Sequence, residues 1–308
     1  MAHKKFLGKI RTDPWESLAK GPREVMLSLW EEYLKETLGV SPQSRRFKVL
    51  RRQIEDAAGF SRIFEEWNFL DPQARAAAWR PLITVAQKRL QAARESCVHC
   101  GECCELGSPT LLTPDLALFQ KEILTFSEVY TLRAGEQVTD REGKVTELKE
   151  ERLKVREVPA SRQCHYYLAA TQTCRIYDDR PEQCRRQNCW GVPAPPPAVA
   201  QLLNRRHLFA EVGEVWDLIQ AHEERCACLR LAQALTELGA GQEEAGDPLF
   251  EALYFDYYLR QMLVDDWGLS PAATELLLGR PLTEFLRTHG LEATLTPEGV
   301  FRLARRED

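Results

Sequence analysis

Residues 97–104 read CVHCGECC, and this stretch decides how the rest of the chain is interpreted. Four further cysteines follow it, so eight of the ten cysteines fall within one central segment; the four are Cys164, Cys174, Cys184 and Cys189. Thiolates separated by two residues can reach one metal ion from a single tight turn, whereas cysteines that only pack in a core show no such spacing. The segment is therefore predicted to be a metal or iron-sulfur site.

The first three cysteines, Cys97, Cys100 and Cys103, reproduce the C-x2-C-x2-C tripod that holds three irons of a cubane cluster in bacterial ferredoxins. Gly107 stands where the fourth cysteine of that pattern is expected, so a further ligand must come from farther along the chain. Eight thiols would satisfy two four-cysteine zinc sites, two 4Fe-4S clusters, or one of each. The adjacent Cys103 and Cys104 are expected to point apart and could serve different centres.

Charge and composition narrow the class of protein. The net charge is -5 and the pI about 5.8, which argues against nucleic acid as a ligand, because phosphate contacts need clustered Lys and Arg. The basic N-terminus is followed by DPWESLAK rather than by the apolar stretch of a secretory signal, and no run reaches the roughly 18 apolar residues of a membrane span. We expect a cytoplasmic protein that binds no membrane.

Cysteine content also bears on disulfides. Ten cysteines in 308 residues are too few for a disulfide scaffold, and a chain of this length folds without such cross-links. Cys226 and Cys228 flank Ala227 on a predicted helix, where their side chains would project in different directions. They are predicted to be buried packing thiols rather than ligands.

Helices are predicted on both sides of the cysteine segment. Between residues 14 and 95, Met26, Leu29, Trp30 and Tyr33 follow the spacing of one buried helical face. Asp71 and Pro72 cap a second helix, whose apolar stripe is Trp79, Leu82, Ile83, Ala86 and Leu90 and which leads into CVHCGECC. After the segment, one helix is predicted across Leu208, Val212, Val215, Trp216 and Ile219, and others begin at Asp247-Pro248 and Ser270-Pro271.

The centre is predicted to be less regular. Thr113 and Pro114 open a short helix that extends to about Leu124. At residues 145–158, apolar and charged residues alternate, which predicts a pair of strands. CHYYL and CRIY form a second short strand pair, a helical turn carries Cys184, and the proline run at 191–198 breaks regular structure. The last residues form a small hairpin around Pro297, Glu298 and Gly299.

These patterns predict a mainly α protein, in which helical flanks surround a small irregular α+β cysteine-rich metal-binding core. Three regions follow along the chain: a helical region at 1–95, the cysteine core at 96–192 and a second helical region at 198–308. They could also form one continuous domain.

The central segment resembles a known family. CVHCGECC with its internal Gly101, followed by CHYYLAATQTCRIYDDRPEQCR, matches the pattern of the CxxCxxCC cysteine-cluster family, also called the YkgJ type and described as zinc- or iron-chelating. The resemblance covers about residues 96–190. It implies that seven cysteines bind the metal, with Cys189 just outside the pattern; the seven are Cys97, Cys100, Cys103, Cys104, Cys164, Cys174 and Cys184.

Two functions follow from this resemblance. The first is a metal-binding protein that holds zinc or a 4Fe-4S cluster, with a structural, storage or redox role. The second is a metal-dependent protein lysine methylase, because flagellin lysine methylases are similar in carrying such a cluster; it would use S-adenosylmethionine and act on a protein substrate. No glycine-rich fingerprint for that cofactor is found, since LGAGQEEAG at 238–246 follows a helical stretch. A third interpretation is a zinc-stabilised adaptor that docks a protein partner.

Overall fold

Helices account for most of the chain in the computed structural model, and the sheets among the described residues contain only two strands each. The described residues are 14–139, 143–187, 189–190, 195–242, 244 and 246–306. The prediction of a mainly α fold is confirmed. No helix in this part of the chain is long and apolar enough to cross a membrane.

The chain divides into two compact units that cut across the sequence. The first contains the described residues of 1–102, 169–173 and 185–194, and the second those of 103–168, 174–184 and 195–308. The division runs through the cysteine segment, so its cysteines are shared between the units. The three regions proposed from the sequence stay a prediction.

The first unit is built from amphipathic helices that bury one apolar face. The helices are α1 (Pro14–Lys20), α2 (Arg23–Leu38), α3 (Arg45–Ala58), α4 (Phe60–Glu66) and α5 (Pro72–Glu95). Trp30 is fully buried, stacks on Phe60 and meets Trp79 edge to face. The Asp71 side chain accepts a hydrogen bond from the N–H of Ala74 at 2.8 Å, which confirms the predicted cap of α5. This core includes Val98 and Cys100, so it anchors the start of the cysteine segment.

The remaining helices begin within or after the CVHCGECC stretch, residues 97–104, which we call the knot. They are α6 (Glu102–Glu105), α7 (Leu116–Gln120), α8 (Glu182–Arg185), α9 (Arg205–Phe209), α10 (Gly213–Cys226), α11 (Cys228–Gly239), α12 (Gly246–Asp265), α13 (Pro271–Leu278) and α14 (Leu282–Thr288). The helical turn at Cys184 and the helices after Asp247 and Ser270 are thus where they were predicted.

Two helix predictions were wrong in extent. The helix expected from Thr113 to Leu124 is a 3₁₀ turn followed by α7, because Glu122 adopts a left-handed φ of 57° that ends the helix after Gln120. The single helix expected from Leu208 to Ile219 is two helices, α9 and α10. Val212 lies between them with ψ of 81°, outside the helical range.

The strands are β1 (Val129–Leu132), β2 (Gln137–Thr139), β3 (Val145–Glu147), β4 (Arg152–Val155), β5 (Tyr167–Leu168), β6 (Thr173–Cys174), β7 (Leu291–Leu295) and β8 (Phe301–Arg305). Pairing is antiparallel for β1 with β4, β2 with β3 and β7 with β8. The predicted strands at 145–158 exist but do not pair with each other, since each finds its partner upstream. The predicted β5–β6 and C-terminal pairs are confirmed.

Two further predictions concern the proline run at 191–198 and the cysteines Cys226 and Cys228. Residues 191–194 lie outside the described residues, and 195–198 contain no regular structure, as predicted. Cys226 and Cys228 do not share a helix, because Ala227 has ψ of 118° and separates α10 from α11. Both thiols are buried, as predicted.

Candidate metal centre

In the knot, the backbone conformation directs N–H groups towards the sulfurs of Cys97 and Cys100. Helix α5 ends at Glu95, and His99 and Gly101 then adopt left-handed φ angles of 62° and 77°. Gly101 takes this conformation without the penalty that a Cβ atom brings. The backbone N–H of His99 donates to Cys97 Sγ at 3.3 Å, and that of Glu102 donates to the sulfur of Cys100.

Three thiols meet within the first unit, although Cys189 is far from the other two in sequence. Cys189 shares hydrogen bonds with Cys100 and Cys97, and the backbone N–H of Val98 also donates to its sulfur. These contacts raise the pKa of Cys100 and lower that of Cys189, because one proton shared between two sulfurs favours one thiolate. We call Cys97, Cys100 and Cys189 the three-thiol set.

Two residues of the helical flank hold Cys189 in place. Arg46 Nη1 of α3 donates to the carbonyl oxygen of Cys189 at 2.9 Å, and the guanidinium lies over the Trp190 ring at 5.9 Å. Trp190 Nε1 in turn donates to the carbonyl oxygen of Leu38 at 2.8 Å. The charge of Arg46 contributes to the lowered pKa of Cys189. The sequence analysis missed Arg46, because its contacts with Cys189 arise only in the fold.

Five thiols meet within the second unit. Cys103 Sγ and Cys104 Sγ on α6 lie 3.9 Å apart, so the expectation that they point apart was wrong: both side chains contribute to one group. The backbone N–H of Cys164 donates to the carbonyl oxygen of Cys104 at 2.7 Å. Cys174 and Cys184 lie close enough to affect the protonation of their neighbours. We call these residues the five-thiol set.

The pattern of N–H groups seen in the knot recurs in the five-thiol set. The N–H of Tyr166 donates to the sulfur of Cys164, and the N–H of Ile176 donates to that of Cys174. In both, as in Cys97 and Cys100, the donor lies two residues after the cysteine. A thiolate accepts such hydrogen bonds far better than a thiol does, so the backbone is arranged to stabilise charged sulfur.

Without a cation, Cys104, Cys164, Cys174 and Cys184 hold their protons. Burial raises the pKa of Cys164 to about 11 and also raises the pKa of Cys174 and Cys184. The pKa of Cys104 is raised mainly by its hydrogen bond with Cys103 and then by burial. Each neighbouring thiolate adds repulsion, so five charged sulfurs cannot share this volume without a positive ion.

Basic and aromatic groups surround Cys174. Arg180 and Arg175 both oppose the rise in its pKa. Arg180 lies over the ring of Tyr177 at 4.1 Å and donates to the carbonyl oxygen of Tyr177 at 2.7 Å. These contacts hold the guanidinium of Arg180 near the sulfur.

Two polar side chains next to the cysteines in sequence, His165 and Glu102, have partners other than the sulfurs. His165 Nε2 lies 3.6 Å from Glu128 Oε1, and its ring meets Tyr166 edge to face. Glu102 caps α3, since Oε1 accepts the backbone N–H of Arg45 at 2.6 Å. Cys226 and Cys228 belong to a separate apolar cluster, where burial raises the pKa of each to about 12.

The donor chemistry of both sets fits zinc or iron. As the side chains stand, no group of three or more His, Cys, Asp and Glu among the described residues could hold a metal ion. The thiols are nevertheless grouped and several accept backbone N–H groups, and none of the ten cysteines is in a disulfide. A tetrahedron with Zn–S bonds of about 2.3 Å has S–S edges of about 3.8 Å, close to the 3.9 Å between Cys103 and Cys104.

These features define a cysteine-rich segment of the kind that chelates metal through thiolates. Residues 96–195 match the model of the CxxCxxCC family, whose description is "Putative zinc- or iron-chelating domain". The predicted resemblance is confirmed, and the matched segment includes Cys189 as well as the seven cysteines of the motif. No curated protein and no solved structure matches the chain.

Proposed function

We propose that this protein binds zinc or an iron-sulfur cluster through the cysteines of residues 97–189. The observation that carries the proposal is the five-thiol set, in which buried and partly buried sulfurs lie near one another and two of them, Cys164 and Cys174, receive N–H donors from the backbone. A group used only for packing would not need those donors, because a neutral thiol is a weak acceptor. The ligands would be Cys103, Cys104, Cys164, Cys174 and Cys184, with Cys97, Cys100 and Cys189 as a second set.

Bound metal would supply the positive charge that the sulfurs lack. It would replace the thiol protons, and Arg175 and Arg180 would offset part of the remaining negative charge beside Cys174. The chain's own residues orient the sulfurs and exclude water, since Cys100 and Cys164 are buried. The lack of a disulfide among the ten cysteines supports a reducing compartment, and we propose the cytoplasm.

The test is the metal content of untagged protein purified without oxygen. Iron, zinc and acid-labile sulfide are measured per chain together with the visible spectrum. Brown protein with matching iron and sulfide identifies a cluster, and colourless protein with stoichiometric zinc identifies a zinc site. Folded protein that carries neither metal, and takes up neither on reconstitution, contradicts the proposal.

The chain offers a matched control. Cys174→Ala/Cys184→Ala removes two partly buried thiols of the five-thiol set, and we expect it to lose metal. Cys226→Ala/Cys228→Ala removes two buried thiols from an apolar cluster, and we expect it to keep the metal content of the original protein. Equal losses in both variants would show that metal follows general stability rather than these ligands.

The methylase prediction rests on the resemblance alone. No contact among the described residues and no comparison favours S-adenosylmethionine as a ligand, so that function is not proposed here.

A further inference from the structure

A group of largely buried charged side chains lies in the second unit, outside the cysteine segment. It includes Arg133, which follows β1, His222 on α10, and Asp256 and Arg260 on α12. We propose that Arg133 and Arg260 together bind one small monovalent anion of about the size of chloride. This inference is independent of metal binding, because none of these residues is a candidate metal ligand.

Arg133 makes far fewer hydrogen bonds than its guanidinium group can donate. The side chain is 1% exposed, and Nη1 donates to the carbonyl oxygen of Cys226 at 3.1 Å. Nε and Nη2 are buried and have no hydrogen-bond partner among the described residues; Glu136 Oε1 lies 3.6 Å from Nε, beyond hydrogen-bonding distance. A buried donor without a partner costs free energy, so these two nitrogens favour a bound group that accepts from them.

Arg260 supplies another donor of the same kind. Its Nε donates to Asp256 and its Nη2 to the carbonyl oxygen of Gly279, each at 3.0 Å, whereas the buried Nη1 has no partner within the described ranges. Gly279 also lies against Arg133, since a Cβ atom at Gly279 would be 2.7 Å from Arg133 Nε. Both guanidinium groups therefore reach Gly279, which brings them near one another.

His222 belongs to the same network. Its Nε2 lies 2.8 Å from Asp256 Oδ1, the oxygen that also accepts from Arg260. Because the ionised Asp256 only accepts, Nε2 carries the ring proton, and the buried Nδ1, which has no partner in the described part of the chain, donates only when the ring is charged. The two guanidinium groups therefore provide the donors of the proposed site.

The charge balance favours an anion over a neutral occupant. Arg133, Arg260 and Arg280 are three cations, and the carboxylates that lie within 4 Å of them are Glu136 and Asp256. Glu136 is already bonded by Arg280 and by the backbone N–H of Arg133, and Asp256 is bonded by Arg260. One positive charge is left over in a largely buried environment, and a weakly hydrated monovalent anion is suited to balance it.

Two other carboxylates of this region are engaged by a different arginine. Arg205 bonds Glu151 through Nε and Nη2, Glu223 through Nη2, and the carbonyl oxygen of Leu277 through Nη1. The side chains of Glu151 and Glu223 are 24% and 30% exposed, so water and salt screen their charges. Arg205 is thus a buried guanidinium whose three nitrogens all have partners, which makes it a matched control for Arg133.

The experiment measures the melting temperature of the full chain against sodium chloride concentration, with sodium gluconate keeping the ionic strength constant. An anion that binds only the folded chain raises the melting temperature, and we expect a rise of about 2–4 °C once chloride is about thirtyfold above its dissociation constant. Arg133→Met should abolish this rise. Arg205→Met should lower the melting temperature but keep the rise.

A measurement on the unaltered chain covers the case in which Arg133→Met does not fold. Crystals grown in sodium bromide should give an anomalous scattering peak within hydrogen-bonding distance of Arg133 Nη2 and Arg260 Nη1. No peak, with a melting temperature that does not respond to chloride, would mean that a neutral molecule such as water satisfies these donors, and would refute the anion site. An equal chloride effect in all three proteins would show a general salt effect, and a peak without any chloride effect would show binding at crystal concentration only; both results would also refute it.

Discussion

At the scale of single residues, the backbone N–H two positions after a cysteine stabilises negative charge on the cysteine sulfur. Cys97, Cys100, Cys164 and Cys174 all receive such an N–H. In the knot this requires the chain to turn sharply, and the left-handed φ of Gly101 makes the turn between Cys100 and its donor, Glu102. The glycine is therefore part of the ligand geometry.

We predict that Gly101→Ala weakens metal binding. Adding a Cβ at a φ of 77° costs about 1–2 kcal/mol, which corresponds to about a fivefold to thirtyfold loss of affinity if the metal-free loop relaxes. Competition with a chromophoric chelator measures the change. Gly290→Ala is the matched control, because Gly290 has a φ of 76°, with open space around it and no contact with the cysteines. Equal affinities in the two variants would contradict the prediction.

Cys226 and Cys228 should be distinguishable from the ligand cysteines by reactivity. Burial raises the pKa of both to about 12, so almost no thiolate is present at pH 8. We expect iodoacetamide to leave them unlabelled until denaturant is added, whether or not metal is present. Mass-spectrometric mapping should show that a chelator increases labelling at the eight other cysteines, because their segment loses order and exposes them when metal is removed. Labelling of Cys226 or Cys228 on chelation alone would show that this cluster also depends on metal.

At the scale of secondary-structure elements, one buried carboxylate connects three helices of the second unit. Asp256 on α12 accepts from His222 Nε2 of α10 at 2.8 Å, from Arg260 Nε at 3.0 Å and from the backbone N–H of Leu282 of α14 at 3.0 Å. Its own pKa is held well below the usual range: burial opposes ionisation, but Arg260 and His222 outweigh it. The ion is stable there because every neighbour is a donor.

Asp256→Asn should destabilise the protein strongly. The substitution keeps the shape but leaves the buried Arg260 without its counter-charge, and breaking a buried pair in this way typically costs about 3–5 kcal/mol. Urea unfolding measures the loss. Asp265→Asn, on the same helix but exposed, should change stability by less than about 0.5 kcal/mol. Similar losses for both would mean that helix charge, not the buried network, sets the stability.

The same network predicts how stability depends on pH. The pKa of His222 is lowered, first by burial and then by Arg133 and Arg260, although Asp256 opposes the shift. The unfolded chain therefore binds a proton at this histidine below about pH 6.5 that the folded chain does not, and stability falls as pH decreases through that region. His222→Gln should flatten the slope between pH 5 and 7. Parallel unfolding curves for both proteins would refute this assignment.

At the scale of the whole molecule, the helices of the first unit and the cysteine segment draw their stability from different sources. Met26, Trp30, Leu34, Ile54 and Leu82 are fully buried, so α2 to α5 have an apolar core of their own. The cysteine-bearing part of the central segment, residues 97–105 and 164–187, has four-residue helices and two-residue strands instead. Its order should come largely from metal binding.

Removal of the metal by a chelator should therefore reduce protection against hydrogen exchange more in some parts of the chain than in others. Hydrogen exchange followed by mass spectrometry should show strong loss of protection in residues 97–115 and 160–187 when metal is removed. Residues 23–66 should lose much less, because hydrophobic burial holds those helices. Uniform loss of protection across the chain would show that the metal-binding segment and the helical core unfold as one cooperative unit.

The strand pairing shows where sequence patterns stop being sufficient. Alternation correctly predicted strands at β3 and β4, and in β4 it matches burial on one face, at Leu153 and Val155. It could not report partners: Val129 pairs with Val155 and Gln137 with Glu147 through contacts that no local pattern encodes. Helix ends at caps such as Asp71 were predictable, whereas the end of α7 depended on an unpredicted left-handed residue at Glu122.

The sequence by itself determined the candidate ligands, the caps of the main helices and the resemblance of residues 96–195 to a chelating family, because spacing and capping act within a few residues. Only the tertiary structure decided which thiols lie close together. It joined Cys189 to Cys97 and Cys100 and placed Cys103 beside Cys104. The physical reason is that a metal site needs sulfurs close in space, and contacts between distant parts of the chain exist only after the core has folded.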